Sequence, residues 1–256
     1  MRKPILAGNW KMNKTVAEAV ALVHNMKGEL LKVNGVEKVL CPPFMAIPEV
    51  AKLVAGTELR LGAQDMYWQD SGAFTGEVSP LMVKEFCQYV IIGHSERRQH
   101  FGETDETVNR KIKAALAHGL TPIVCVGESL DIRQADQTEK WVVGQVKAAL
   151  AGLTGAQVAS VVIAYEPSWA IGTGLPATAE EAERVCGQVV RAIITELYGI
   201  PTADAVRIQY GGSVTPANAA ELMSKPNIDG ALVGGASIKA ADFVEIVRLA
   251  AKAKGV

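Results

Sequence analysis

The sequence predicts an α/β fold in which eight parallel strands, each followed by helical chain, close into one (β/α)8 barrel. Three observations carry this. Eight short apolar runs recur, helix-start signals fall between them, and 256 residues is the usual length of such a barrel. The runs are 4–10, 38–42, 60–64, 89–93, 121–127, 161–166, 206–210 and 229–233. Most are continuous in Val, Ile, Leu and Ala rather than alternating, as expected of strands covered on both faces in a parallel sheet. An open doubly wound sheet is the other architecture that strand–helix alternation allows. Length favours the closed form. No linker or charge run divides the chain, so one domain over 1–256 is expected. The recurrence has no fixed sequence period, which argues against a solenoid.

The helical elements follow from their start signals. Thr15-Val16-Ala17-Glu18 is a capping box that opens a helix to about residue 31. Thr104 opens another, and 137–150 is helical. A second box, Thr178-Ala179-Glu180-Glu181, opens a helix to about residue 198. Thr215-Pro216 supplies an N-cap and a first-turn proline, and 240–253 completes the set. Gly119, Gly152 and Gly199 lie just past helical runs, where C-caps belong.

Composition excludes several classes of function. Hydrophobic residues make up 49% and charged residues 21%, enough for a sizeable core without staples. The balance of 26 Lys+Arg against 27 Asp+Glu gives a net charge of −1. That leaves no basic field for nucleic acid, so an anionic ligand must be held by backbone amides or a few placed cations. Cys41, Cys87, Cys125 and Cys186 show no C-x-x-C spacing; neither a metal site nor a disulfide framework is indicated, and free thiols in a reducing compartment are expected. The N-terminal apolar run is too short for a signal peptide, and no stretch approaches membrane-spanning length. The expected location is the cytoplasm, with no membrane partner. Without secretion, the acceptor pattern Asn13-Lys14-Thr15 has no consequence.

In a barrel, ligands bind at the C-terminal strand ends. Asn9 and Lys11 end the first strand, His94 follows the fourth and Glu166 ends the sixth; Gly211-Gly212-Ser213 and Gly234-Gly235 follow the last two. The richest segment is Ala164-Tyr165-Glu166-Pro167-Ser168-Trp169-Ala170-Ile171-Gly172-Thr173-Gly174. An apolar strand delivers a carboxylate, Pro167 stops the strand, and a Gly-rich stretch with two bulky apolar residues follows. That order suits a base on a rigid strand beside a closable lid that excludes water. Alone, Glu166 reads equally well as a surface carboxylate; its context tips the balance.

His94 lies between an apolar strand and a helix start at Ser95, whose dipole disfavours imidazolium. A neutral ring there can donate to a carbonyl oxygen. His24, His100 and His118 read as surface residues. Most lysines are solvated charges, but the barrel puts Lys11 in its mouth, where a fixed cation stabilises an enolate or binds phosphate. Ordinary turns explain most Gly-Gly pairs. Two such turns on neighbouring last strands, with Gly235-Ala236-Ser237-Ile238 able to open a short helix, form an amide site for a dianion.

Two other patterns carry less. Gly172-Thr173-Gly174-Leu175-Pro176-Ala177 satisfies G-x-G-x-x-A, but it starts six residues beyond Glu166 and contains a proline. Gly93-His94-Ser95-Glu96-Arg97 begins like a nucleophile elbow, but Arg97 replaces the final glycine.

Taken together, Ala7-Gly8-Asn9-Trp10-Lys11-Met12-Asn13, the segments 91–98, 164–174 and 230–237, and Tyr210-Gly211-Gly212-Ser213-Val214 resemble the signatures of the triosephosphate isomerase family. The resemblance runs from about residue 4 to the C-terminus without a large insertion. It implies the TIM-barrel fold and the interconversion of dihydroxyacetone phosphate and D-glyceraldehyde 3-phosphate through an enediolate, in glycolysis and gluconeogenesis. Neither a metal nor an organic cofactor is implied. By the family's motifs, Glu166 is the base, His94 the neutral electrophile, and Lys11 and Asn9 the electrostatic support. The amides of Gly172, Ser213, Gly234 and Gly235 hold the phosphate under a lid. Glu96 and Cys125 stand as supporting groups near Lys11 and His94.

The family likeness also implies a homodimer. The loop 64–77, from Gln64 to Glu77, is similar to the family's interlocking interface loop, and Tyr67, Trp68 and Phe74 within it fit a buried contact. Thr75 would then reach Asn9 and Lys11 of the partner subunit, and Glu77 would pair with Arg98 of the partner subunit. One departure lies in the lid, where Ser168 and Leu175-Pro176-Ala177 replace the family's usual residues; Pro176 fixes a torsion in the trailing hinge. Two rival readings share the barrel: a phosphosugar aldolase or epimerase, with Lys11 as a Schiff-base lysine, and a non-catalytic phosphometabolite-binding protein. The co-occurrence of Lys11, His94 and Glu166 argues against the second.

Overall fold

The computed structural model describes residues 2–170 and 177–256. Eight parallel strands, β1 (Ile5–Asn9), β2 (Glu37–Cys41), β3 (Arg60–Ala63), β4 (Tyr89–Ile92), β5 (Thr121–Val126), β6 (Val162–Tyr165), β7 (Arg207–Tyr210) and β8 (Gly230–Val233), form a closed barrel in chain order. β8 returns to pair with β1, so the sheet has no edge.

The helices α1 (Val16–Leu30), α2 (Ile47–Val54), α3 (Pro80–Lys84), α4 (Ser95–Phe101) and α5 (Asp105–Ala117) occupy the first half of the chain. α6 (Leu130–Gln134), α7 (Thr138–Leu150), α8 (Gly155–Ala159), α9 (Ala179–Glu183), α10 (Ala192–Tyr198), α11 (Ile200–Ala205), α12 (Ala219–Ser224) and α13 (Ala240–Lys254) follow. The capping box at Thr15 forms with both reciprocal bonds; at Thr178 the hydroxyl accepts from the Glu181 N–H, but the Glu181 carboxylate turns to Arg133 and Arg184 instead of closing the expected box, and Thr104 closes one with Thr107. Gly119, Gly152 and Gly199 all adopt positive φ.

Two expected helices differ in detail. The long helix after Thr178 is interrupted by a π-helical stretch, Arg184–Arg191, before α10 continues. Thr215-Pro216 does not start a helix. The Asn218 carboxamide oxygen accepts from the Thr215 N–H at 2.8 Å, an alternative turn, and α12 begins only at Ala219.

Alternation along the strands sorts the core into two compartments. Ile5, Ala7, Val39, Cys41, Tyr89, Ile91, Ile123, Cys125, Val162, Ala164 and Leu232 pack only with one another and fill the barrel. Their neighbours, such as Leu6, Leu40, Val90, Val124, Ile163 and Ile208, pack outward against the helices. The inward parity continues past the apolar residues to Asn9, Glu166, Gly211 and Gly234, and so sets what the mouth of the barrel presents. At the opposite end, Arg207 pairs with Glu37 and donates to the Tyr89 hydroxyl, closing the barrel floor with polar groups. Among the described residues no helix is long and apolar enough to cross a membrane.

A buried charge network supports the segment that leaves β3. Asp65 accepts from Lys111 at 2.6 Å and lies 3.0 Å from the Arg97 Nε; Glu103 takes both of the same cations. Burial pushes the Asp65 carboxyl up to about 6, against the pull of Lys111 and with the added repulsion of Glu103. Burial works the same way on Glu103, but Lys111 and Arg97 outweigh it and hold that carboxyl below its usual range. The folded value for Asp65 lies above the unfolded one. Its contribution to stability is therefore complete below the unfolded value near ~4 and is lost as pH rises through about 6. Asp65→Asn is expected to raise the melting temperature at pH 8 and leave it little changed at pH 4. Melting curves at the two pH values check this, and an equal shift at both contradicts it.

Candidate functional site

At the C-terminal mouth of the barrel lies a cavity of about 400 Å3, lined by Asn9, Lys11, His94, Glu166, Ser213, Gly234 and Gly235 among others. These are seven of the eight positions singled out from the sequence. The eighth, Gly172, lies outside the described residues, as do the other residues of 171–176, which belong to the expected lid segment and its trailing hinge.

Glu166 follows β6 and is 2% exposed. Its placement requires bare backbone on two sides. A Cβ on Gly127 would overlap the Glu166 carbonyl oxygen, and one on Gly211 would stand 2.7 Å from the Glu166 Cγ. The Glu166 amide donates to the Val126 carbonyl at 2.7 Å, which extends the β5–β6 pairing to the end of the strand. Its carboxylate accepts from the Ser95 N–H at 3.0 Å and lies 3.1 Å from the His94 Nε2. Cys125 sits beside it on β5; burial, reinforced by the Glu166 charge, pushes that thiol far up, so it stays a neutral neighbour.

His94 reaches the mouth because Gly93 turns the chain at φ +75°, where a Cβ would strike Val108. The imidazole caps α4: Nδ1 accepts from the Glu96 N–H at 3.2 Å. A ring that accepts at Nδ1 carries its proton on Nε2, so Nε2 is the donor that faces Glu166.

Lys11 adopts φ +53°, an unusual conformation for a residue with a side chain. Three contacts hold it there. Its N–H donates to the Asn9 Oδ1 at 3.0 Å, its carbonyl accepts from the Gln64 Nε2 at 2.9 Å, and its ammonium donates to the Glu96 Oε1 at 2.6 Å. The side chain crosses Gly234, where a Cβ would already touch the Lys11 Cε at 3.5 Å. Ser213 and the glycines therefore bring backbone to the rim beside a fixed cation. The turn Gly235–Ile238 begins there, directly after β8, and Gly235, Ala236 and Ile238 line the cavity.

Several supporting groups had no signal in the sequence. Glu128, fully buried, receives the Trp169 indole N–H at 2.7 Å and the Tyr165 hydroxyl at 3.1 Å. Its carbonyl takes both the Ser168 N–H at 3.0 Å and the Ser168 hydroxyl at 2.9 Å. Burial raises the Glu128 carboxyl above its usual range. Arg133 stacks 4.1 Å from the Trp169 ring centre and pairs with Glu181 at 2.9 Å. The chain after Glu166 is thus tied to the β5 loop and to α9. Asn13, Thr215 and Lys239 also line the cavity. Glu96, expected as a supporting group, bonds both Lys11 and His94 as described.

In the loop 64–77, Thr75 and Glu77 are exposed, while Tyr67 stacks with Trp68 at 4.0 Å and packs against Phe74 at 4.5 Å. Arg98, expected to meet Glu77 of the partner subunit, pairs with Asp105 at 2.6 Å in its own chain and donates to the Gly93 carbonyl. Among the described residues no cluster of His, Cys, Asp or Glu could hold a metal ion.

A family model described as triosephosphate isomerase matches residues 4–250. The chain is 58% identical over 248 residues to a triosephosphate isomerase of Chloroflexus aurantiacus, covering 96% of this chain and 99% of that protein. It is 56% identical, with the same coverage, to one of Thermoanaerobacter sp. (strain X514). It is 53% identical over 247 residues to one of Lactobacillus delbrueckii subsp. lactis, covering 96% and 98%.

Proposed function

The chain belongs to the triosephosphate isomerase family, and from that premise we propose how its own residues interconvert dihydroxyacetone phosphate and D-glyceraldehyde 3-phosphate. The observation that carries the reading is the pairing of the Glu166 carboxylate with the His94 Nε2 at 3.1 Å in a cavity floored by Lys11. A carboxylate and an N–H donor that close together can serve adjacent atoms of one three-carbon substrate.

Glu166 removes a proton from the carbon beside the carbonyl and returns it to the neighbouring carbon, while the hydroxyl proton passes from one oxygen to the other by way of the His94 Nε2. The substrate oxygen takes the His94 N–H that Glu166 holds in this arrangement, which frees the carboxylate to act as base. Negative charge that develops on the enediolate is met by that N–H and by the Lys11 ammonium, with Asn9 holding the Lys11 backbone. The amides of Ser213, Gly234, Gly235 and Gly172 bind the phosphate. A lid formed by the Gly-rich segment after Pro167 keeps water out and suppresses loss of phosphate from the intermediate. The Lys11 ammonium, paired with Glu96 at 2.6 Å, suits a fixed cation better than a Schiff-base nucleophile.

The same reading makes the molecule a one-domain cytoplasmic homodimer assembled through the loop 64–77. Exposed Phe74, Met45, Met82 and Phe101, and Met12 at 96% exposure, support a surface that a second copy covers. Sedimentation at micromolar concentration is expected to give twice the chain mass; a monomer of full activity refutes the dimer.

Glu166→Asp keeps the charge but withdraws the carboxylate by roughly 1 Å and is expected to cost on the order of 10²-fold in turnover. A coupled assay on dihydroxyacetone phosphate measures it, and an unchanged rate removes Glu166 from the reaction. His94→Gln is expected to lower kcat far more than it weakens binding of glycerol phosphate. A loss confined to binding would show that His94 is no electrophile.

A further inference from the structure

Beside the barrel mouth, the surface of α7 carries a cleft whose smaller lobe, at Lys140 and Gly144, lies away from the groups assigned to the reaction, while its larger lobe reaches Ser95, Glu96 and Trp169. Two lobes, of about 440 Å3 and about 650 Å3, share Trp141 and Gln145 as lining residues. These volumes fall within the usual range for small-molecule sites.

Gln145 is 5% exposed, and its Oε1 accepts the Gly127 N–H at 2.7 Å. An N–H donor can face only the oxygen of a carboxamide, so the orientation of the amide is fixed. The Gln145 NH2 is therefore the edge of the amide left free of protein acceptors, a solvent-accessible donor at the cleft. One helical turn earlier, Trp141 is 46% exposed, yet it is tethered by its indole N–H to the Gly127 carbonyl at 3.2 Å. A ring held by its polar edge with half its surface bare is a stacking platform. Between the two, Gly144 leaves open space: a Cβ there meets nothing within 4 Å.

The local charges settle the sign of the occupant. Asp105 is taken by Arg98 at 2.6 Å, and Glu96 by Lys11 at 2.6 Å. Lys140, on the cleft rim, has no carboxylate within ion-pair distance among the described residues. The uncompensated charge is positive.

We propose that this cleft binds a purine nucleotide, with the base stacked on Trp141, a ring nitrogen accepting from the Gln145 amide, and the phosphate at Lys140. The floor of the site is the Gly127 peptide, which packs directly on Glu166, so an occupant would sit one peptide away from the proposed base.

Calorimetric titration of AMP into the full-length protein tests this. Saturable binding is expected. Gly144→Leu, which fills the space between platform and donor at an open helical position, should weaken it about tenfold or more, and Trp141→Leu should do the same. Lys140→Ala, or adenosine in place of AMP, should cost about threefold to tenfold. Melting curves of each variant separate lost binding from lost folding, and surface Lys140→Ala remains informative if the other two unfold. No saturable binding by about 5 mM AMP overturns the proposal. So does an affinity that Gly144→Leu and Lys140→Ala both leave unchanged, or displacement of AMP by glycerol phosphate, which would place the nucleotide in the barrel mouth. Failure to isomerise triose phosphates would count against the proposed function and leave this result untouched.

Discussion

The position of Glu166 depends on close backbone approach at the ends of three neighbouring strands. Gly127 follows β5, Gly211 follows β7, and both must lack a side chain for the Glu166 backbone and Cγ to fit between them. The strands are parallel and the barrel is closed, so this fit has no slack: β6 cannot move sideways without losing pairing on both edges. The backbone that carries this carboxylate is fixed in advance, so in the proposed reaction only its side-chain bonds to His94 and Ser95 have to change, which is the physical use of building a site on strands rather than on loops.

The same rigidity extends to the other charged groups through their pairing. Glu96 sits where it can hold the Lys11 ammonium and give its own N–H to His94, so one residue of α4 sets both the cation and the tautomer. Lys11 is kept in a left-handed conformation by Asn9 and Gln64, from β1 and from the start of the loop 64–77. Gln64 also bonds the Cys41 carbonyl, and Asp65 beside it enters the network with Lys111, Arg97 and Glu103. The loop proposed to meet a second subunit is therefore mechanically continuous with the cation at the mouth. That continuity gives a physical reason for assembly and site integrity to depend on one another.

Strand positions were legible from composition because a strand covered on both faces must be apolar throughout. The eight runs and the eight strands agree to within about a residue or two at each end. The helix starts at Thr15 and Thr178 were legible because the cap bond to the residue three places on is local. Thr215-Pro216 misled for the same reason: Asn218, three residues on, offers Thr215 a competing local bond. The networks of Glu128 and Asp65 left no trace, since Asp65 and Lys111 are 46 residues apart and Glu128 meets Trp169 from 41 residues away. No period or spacing marks such partners.

By itself, then, the sequence determined the eightfold alternation, the closure favoured by its length, and the carboxylate, imidazole, ammonium and glycines that stand at strand ends. Those follow from short-range rules: apolar continuity, caps, turn residues and family motifs. Tertiary structure alone decided which nitrogen of His94 carries the proton, which carboxylate holds Lys11, and how deeply Glu166 and Glu128 are buried. Each of these is a contact between groups far apart in the chain, and its energy depends on distance and dielectric, which exist only once the barrel has closed.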